Sequence, residues 1–272
     1  MVRPLPEAMV DVAKNYRPPP VPTRDAATVA LLRDGESGLE VYLMRRQRSM
    51  KFAAGMYVFP GGGVHASDLD PIPWAGPTPA EWAERFHCSE KLAGALVVAA
   101  ARELFEETGV LLACRDGSAL LDTASFADLG GARVAVESGD LTFAEFLRSR
   151  GLTLRSDLLG AWAHWITPEF EPRRYDTRFF VAELPAGHFV GGLSGEADGG
   201  AWMSVAAALE SAAAGQLAMM PPTRHTCRSL MGHSAAGAVA AGQHRPIETI
   251  KPRLVVHEGG YFLNSPTLDE IA

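Results

Sequence analysis

A chain of 272 residues with 47% hydrophobic and 21% charged residues has the balance of a soluble globular protein, and suits one large domain with additions or a domain with a small appendage. No uninterrupted apolar run approaches the roughly 18 residues needed to span a bilayer, which argues against membrane insertion, and a formal charge of −7 argues against a generally basic nucleic-acid-binding surface. Any phosphate-bearing substrate must then be met locally, by a few cations or a metal.

The first elements follow from proline and glycine placement. Pro4, Pro6, Pro18, Pro19, Pro20 and Pro22 predict an extended lead-in over residues 1–24 without regular structure. Pro4, Pro6, Glu7 and Asp11 also interrupt any signal-peptide pattern. The domain proper, 25–272, opens with strands at Thr28 to Leu32 and Glu40 to Met44, joined as a hairpin through the turn-rich Arg33 to Gly38. Arg45, Arg46, Arg48 and Lys51 then place four cations in seven residues before a strand-like Met56 to Phe59. Two readings stay open for them: an ordinary surface strand end, or a phosphate grip made by Arg46, Arg48 and Lys51. The glycine-rich Phe59-Pro60-Gly61-Gly62-Gly63 can bring backbone close to a ligand.

Thr78-Pro79-Ala80-Glu81 combines an N-cap, a proline at the first helical position and a glutamate at the third, predicting a short helix to about His87. Ser89 caps a longer one from about Glu90 to Thr108, with Gly109 as its stop. At 100° per residue, Glu103, Glu106 and Glu107 share a sector of roughly 100°, while Val97, Ala101 and Leu104 lie on a different face, toward the core. A lone E-x-x-E-E reads as a solvated surface. Here the glycine-rich turn and Arg102 accompany it, and three like charges within a turn repel one another. A hard divalent cation removes that repulsion, and Arg102, four residues before Glu106, can orient part of the cluster.

Further on, Thr142 to Arg150 has helical spacing of Phe143, Phe146 and Leu147. Leu158 to Ile166 and Thr177 to Leu184 read as strands. Gly191 to Gly200 reads as a glycine-rich turn carrying Glu196, and Trp202 as a core residue. Ser204 caps a helix to Ala214 that Gly215 ends, and Pro221-Pro222-Thr223 starts another to about His233. Ile250 to His257 and Tyr261 to Leu263 form a hairpin around Glu258-Gly259-Gly260. Cys88, Cys114 and Cys227 make no C-x-x-C, which fits a reducing compartment, and the eight histidines make no H-E-x-x-H and no zinc spacing.

Arg102 to Val110, taken with Gly62, resembles the box of Nudix hydrolases, G-x5-E-x7-R-E-U-x-E-E-x-G-U with U aliphatic. The second half is complete. The first half begins at Gly62 and reaches Asp68 where the family has Glu, and the long spacer before Arg102 implies an insertion at about residues 69–94. The segments Trp165 to Pro168 and Arg173 to Phe180 are similar to ones in the peroxisomal coenzyme A diphosphatase branch, as is the split box.

The resemblance implies an α/β fold, a Nudix-type α/β/α sandwich with a mixed central sheet and added helices, ending in a C-terminal helical and hairpin extension. It implies Mg²⁺ or Mn²⁺ held by Glu103, Glu106, Glu107 and the Gly62 carbonyl, with Arg102, Glu103, Glu106 and Glu107 as the catalytic set and Asp68 as a structural candidate and a weaker metal candidate. The expected reaction is hydrolysis of a diphosphate linkage in a small nucleoside-diphosphate-X compound, with coenzyme A or acyl-coenzyme A as the preferred class. Nucleotide sugars, dinucleotides and capped RNA are the enzyme alternatives, and a non-catalytic nucleotide sensor is the other. Neither a membrane nor nucleic acid is an expected partner, a homodimer is left open, and the absence of an S-K-L-like ending favours the cytoplasm.

Overall fold

Strand alternation sends side chains to both faces of one sheet, and each face needs a cover. The architecture comes from a computed structural model, which describes residues 2–5, 7–47, 54–115, 129–191 and 197–265. In chain order the elements are β1 (Val2–Pro4), α1 (Glu7–Asn15), β2 (Arg24–Gly35), β3 (Gly38–Arg46), β4 (Tyr57–Val58), β5 (Gly61–Gly63), β6 (Trp74–Ala75), α2 (Pro79–Phe86), α3 (Glu90–Thr108), β7 (Ala113–Cys114) and α4 (Leu129–Ser138). There follow α5 (Phe143–Ser149), β8 (Thr153–Arg155), β9 (Leu159–Ile166), β10 (Tyr175–Glu183), β11 (Ala197–Ser204), α6 (Val205–Ala213), α7 (Pro221–Leu230), α8 (Ala235–Gly242), β12 (Thr249–Ile250), β13 (Arg253–His257) and β14 (Gly260–Asn264).

The main sheet runs β11-β3-β2-β10-β9-β12, with β4 against β3 and β5 against β2. It is mixed: β10 lies parallel to β2 and β12 parallel to β9, while the other pairs are antiparallel. Val29 and Leu31 of β2, Tyr42 and Met44 of β3, and Phe180 and Ala182 of β10 enter a core shared with Trp82 and Phe86 of α2 and Leu96, Val97 and Leu104 of α3. Their neighbours Ala30, Leu32, Val41, Leu43, Phe179 and Val181 enter the opposite core, shared with Val205, Ala208, Cys227, Leu230, Ala235 and Ala238 of α6, α7 and α8. The result is the expected α/β/α sandwich.

The helices that organise the site follow their caps. Thr78 and Glu81 form a reciprocal capping box with Pro79 in the first turn, and His87 ends α2 in the left-handed conformation. The Trp82 and Phe86 rings lie 5.7 and 5.3 Å from the Phe180 ring, so α2 covers the same face of the sheet as α3. Ser89 accepts from the Leu92 N–H at 3.3 Å. At the far end Gly109, at φ 77°, donates to the Phe105 carbonyl at 2.8 Å; a side chain there would be strained.

Several expectations need correction. The lead-in is not without structure: Glu7–Asn15 is helical, because Met9, Val12, Ala13 and Tyr16 recur at helical spacing and pack with Leu5 onto Phe170, Leu254, Tyr261 and Leu263. The expected strand Ile250 to His257 is two strands in different sheets. Pro252, which has no N–H for a ladder, separates β12 in the main sheet from β13, which pairs with β14, itself paired with β1. The stretch expected as a glycine-rich turn becomes strand β11 from Ala197 onward; Glu196 lies outside the described residues. Helix α7 ends at Leu230, short of His233, because Met231 turns to extended backbone and Gly232 follows at φ 83°. Helices α4 and α8 and the small sheet β6-β8-β7 carried no expectation.

Candidate active site

The last turns of α3 face the short glycine strand β5, and the two elements build one charged cluster. Arg102 is 2% exposed, and Glu103, Glu106 and Glu107 are 7%, 9% and 6% exposed, so the acidic face is buried rather than solvated. Such burial is costly unless each charge is paired. Arg102 does most of that pairing. Its Nε and Nη2 donate to the two carboxylate oxygens of Asp68 at 2.8 and 3.0 Å. Its Nη1 donates to Glu103 at 2.8 Å and to both oxygens of Glu106 at 3.2 and 3.3 Å, and Nη2 also reaches the Gly63 carbonyl at 2.9 Å. Every guanidinium nitrogen is engaged, in the forked geometry that arginine offers carboxylates.

Asp68, 2% exposed, is a partner of Arg102, and its second oxygen also accepts the His65 N–H at 2.8 Å. The Gly61 N–H donates to Glu107 at 2.7 Å. Gly62 lies so close that a Cβ there would sit 2.4 Å from Glu103 Oε1; the absence of a side chain is what admits the carboxylate. The strand β5 is itself held to β2 through the pairing of Gly61, Gly62 and Gly63 with Thr28, Ala27 and Ala26.

Burial pushes the Glu103 carboxyl up to about 7, with Arg102 opposing and Glu106 adding to the rise. Burial likewise raises Glu106 against the pull of Arg102. Arg102 loses from burial but gains more from its bond to Asp68 and from the neighbouring glutamates, so its net shift is upward. Four carboxylates and one guanidinium leave the cluster with an excess of buried negative charge. Among the described residues no three His, Cys, Asp or Glu side chains converge as a ready-made metal cage; here Arg102 Nη1 lies between Glu103 and Glu106 and supplies the countercharge. The excess charge, the oxygen-only donors and the glycine cradle suit a hard divalent cation.

Of the expected phosphate grip, Arg46 ends β3, where its N–H donates to the Met56 carbonyl at 3.0 Å and its carbonyl accepts from Gly55 at 3.0 Å. Arg48 and Lys51 lie outside the described residues. The neighbouring Arg45 is committed to Asp198 of β11 at 2.6 Å. Sequence reasoning missed Arg133 on α4, whose Nε donates to the Glu106 carbonyl at 2.7 Å and whose Nη2 is buried without a hydrogen-bond partner among the described residues. Nothing in its spacing ties it to the glutamates; only the packing of α4 onto α3 does.

No family model matches the chain. It is 26% identical over 199 residues to a putative nudix hydrolase 7 of Caenorhabditis elegans, covering 73% of this chain and 57% of that protein. It is 23% identical over 229 residues to the acyl-coenzyme A diphosphatase NUDT19 of Xenopus laevis, covering 68% and 58%. The chain therefore spans little more than half the length of these curated relatives. Among solved structures, a NUDIX hydrolase from Alicyclobacillus acidocaldarius superimposes with a TM-score of 0.60 at 25% identity, covering 84% of this chain and 99% of that one.

Proposed function

We infer that this chain, which resembles the Nudix hydrolases in sequence and carries their fold, is a divalent-metal-dependent hydrolase of a diphosphate linkage in a nucleoside-diphosphate-X compound, with coenzyme A or acyl-coenzyme A as the favoured class. The observation that carries the reading is the buried set of Glu103, Glu106 and Glu107, braced by Arg102 and lodged against a strand of three glycines. A structural ion pair needs one carboxylate for one guanidinium. Here three further carboxylates are kept at the cost of burial, which is intelligible if their oxygens bind cations.

Glu103, Glu106 and Glu107, with the Gly62 carbonyl, are the residues that would hold Mg²⁺ or Mn²⁺. When bound, such an ion offsets charge on the phosphoryl oxygens and makes water a better nucleophile. Arg102 fixes the glutamate rotamers, and Asp68 in turn fixes Arg102. The Gly61 N–H orients Glu107. A glutamate of this set accepts the proton of the attacking water, in the general-base role. The diphosphate of the substrate would be steadied by cations around the cluster, with Arg46, Arg48 and Lys51 the proposed grip. The favoured substrate class draws support from the acyl-coenzyme A diphosphatase among the relatives.

The test is a hydrolysis screen with Mg²⁺ and Mn²⁺ against coenzyme A, acyl-coenzyme A, ADP-ribose, NADH, diadenosine polyphosphates and capped RNA, with products identified by mass. The expected result is 3′,5′-ADP and phosphopantetheine from coenzyme A. Cleavage of another compound in its place would retain the diphosphate chemistry and refute the coenzyme A assignment. Binding without turnover of any of them would make the protein a sensor.

A further inference from the structure

A cavity of about 380 Å³ opens at the C-terminal end of α3, lined by Tyr42, Val190, Gly191 and Trp202 together with Arg33 and Phe189. It adjoins the carboxylate cluster through three links. The Gly191 N–H donates to the Thr108 carbonyl at 2.7 Å, tying the cavity wall to the last residue of α3. Arg133 bonds the Glu106 carbonyl, and a Cβ on Gly191 would lie 3.2 Å from Arg133 Nη1. Tyr42 is raised first by burial, and both Arg133 and Glu107 lie near enough to act on its hydroxyl.

The walls have a definite chemistry. The Tyr42 and Trp202 rings lie 5.5 Å apart, and the Arg33 guanidinium sits 4.4 Å from the Trp202 ring centroid, held there by Glu40 at 2.6 Å. Phe189 is 77% exposed, the largest exposure of any large hydrophobic side chain among the described residues. An aromatic ring left in water beside a cavity is a site where stacking on a ligand recovers buried area. An aliphatic chain would fill the volume but offer neither a flat face to the rings nor polar atoms to the Arg33 edge. A flat heterocycle attached to a phosphorylated sugar satisfies both kinds of wall.

We propose that this cavity takes the nucleobase of the substrate, stacked by Phe189 and Trp202. The proposal rests on the hydrolase reading above and deepens it, since it assigns the end of the substrate by which a nucleoside diphosphate is told from a bare diphosphate. Phe189 and Trp202 are specificity residues here; they do not touch the reacting atoms.

The test compares equilibrium binding of ADP and of inorganic pyrophosphate to the full chain, by calorimetry and by tryptophan fluorescence. ADP should bind the wild type more tightly than pyrophosphate. Phe189→Ala, a change at an exposed side chain that the fold does not need, should weaken ADP by about tenfold while leaving pyrophosphate within about twofold. Trp202→Leu should do the same and abolish the fluorescence response to ADP. Equal weakening of both ligands by Phe189→Ala, or no preference for ADP in the wild type, would overturn the base site. Hydrolysis in the screen together with ADP binding indifferent to Phe189 would remove this proposal alone; Phe189-dependent ADP binding in a protein that hydrolyses nothing would remove the hydrolase reading alone.

Discussion

Replacing Arg102 by methionine keeps much of the side-chain volume and removes the guanidinium that braces the carboxylate cluster. Asp68, Glu103 and Glu106, all at most 9% exposed, would lose the donors that now meet them at 2.8 to 3.3 Å, and the Gly63 carbonyl would lose its 2.9 Å bond. Breaking a buried pair by removing one partner costs about 3–5 kcal/mol, mostly as the penalty on the orphaned charge. For a chain of this size that corresponds to a fall in the melting midpoint of roughly 6–20 °C. Urea unfolding at pH 8, where the carboxyls are most fully charged, measures the loss, and the double variant Arg102→Met with Asp68→Leu should lose less than the single one because one orphan is gone. A loss below about 1 kcal/mol for the single variant would show that water or a rearranged cluster satisfies the carboxylates, and the argument from burial would fail.

Other perturbations separate stability from chemistry. Gly62→Ala places a methyl where Glu103 Oε1 would be 2.4 Å away; the carboxylate must swing aside, so turnover should fall at least about tenfold, with unfolding free energy changed by about 1 kcal/mol or less, as steady-state kinetics and urea titration would record. Glu106→Gln should lower kcat by about 10²-fold or more without lowering the melting midpoint, since it also relieves like-charge repulsion; a near-normal rate would remove Glu106 from the metal set. The Glu103 carboxyl, pushed up to about 7 in the fold by burial from an ordinary value of 4.5, keeps its proton longer than in the unfolded chain. Stability of the chelated protein should therefore fall as pH rises from about 4.5 to about 7 and level off above; stability rising through that window would contradict the burial. Thr78→Ala removes the hydroxyl that accepts the Glu81 N–H at 3.3 Å and bonds the Glu81 carboxylate at 2.9 Å, leaves the backbone half of the capping box in place, and should cost about 1 kcal/mol in thermal unfolding.

Much of this arrangement is legible in the chain because its signals are local. Ser89 and Gly109 bracket α3, and Thr78, Thr142 and Ser204 mark the starts of α2, α5 and α6, each through a side chain that bonds the N–H three residues on. The cluster on α3 is legible for the same reason, since a helical period brings Glu103, Glu106 and Glu107 together. What the chain hides is contact between distant segments. The two- and three-residue strands of the small sheet exist only through partners such as Leu154 opposite Trp74 and Ala113. Helix α8 is nearly all alanine and glycine, so no apolar stripe announces it. It is recognisable only by its packing, where a Cβ on Gly242 would fall 2.7 Å from Gly160 Cα. Prolines around Glu7–Asn15 masked the amphipathic spacing of α1, and glycines masked β11, an edge strand that gains its partner from β3. Arg133 and the aromatic cavity likewise depend on where α4 and the segment before Gly191 come to rest.

The parallel pairing of β10 with β2 sets an order on assembly. Arg24 meets Tyr175 and Leu32 meets Glu183, so the glycine strand, Asp68 and the whole acidic turn of α3 lie within the loop that this pairing closes. Closing so long a loop is entropically costly and slow, and the local helices are expected to form first. A growing chain that has just delivered Thr108 therefore carries its acidic helix before the strand that completes the surrounding sheet exists. At that stage the glutamates remain in water, where their charge repels neighbouring nascent copies and opposes aggregation. The same residues thus serve the chain twice, first as a solubilising tail and then, once Glu183 has docked, as a buried centre braced by Arg102.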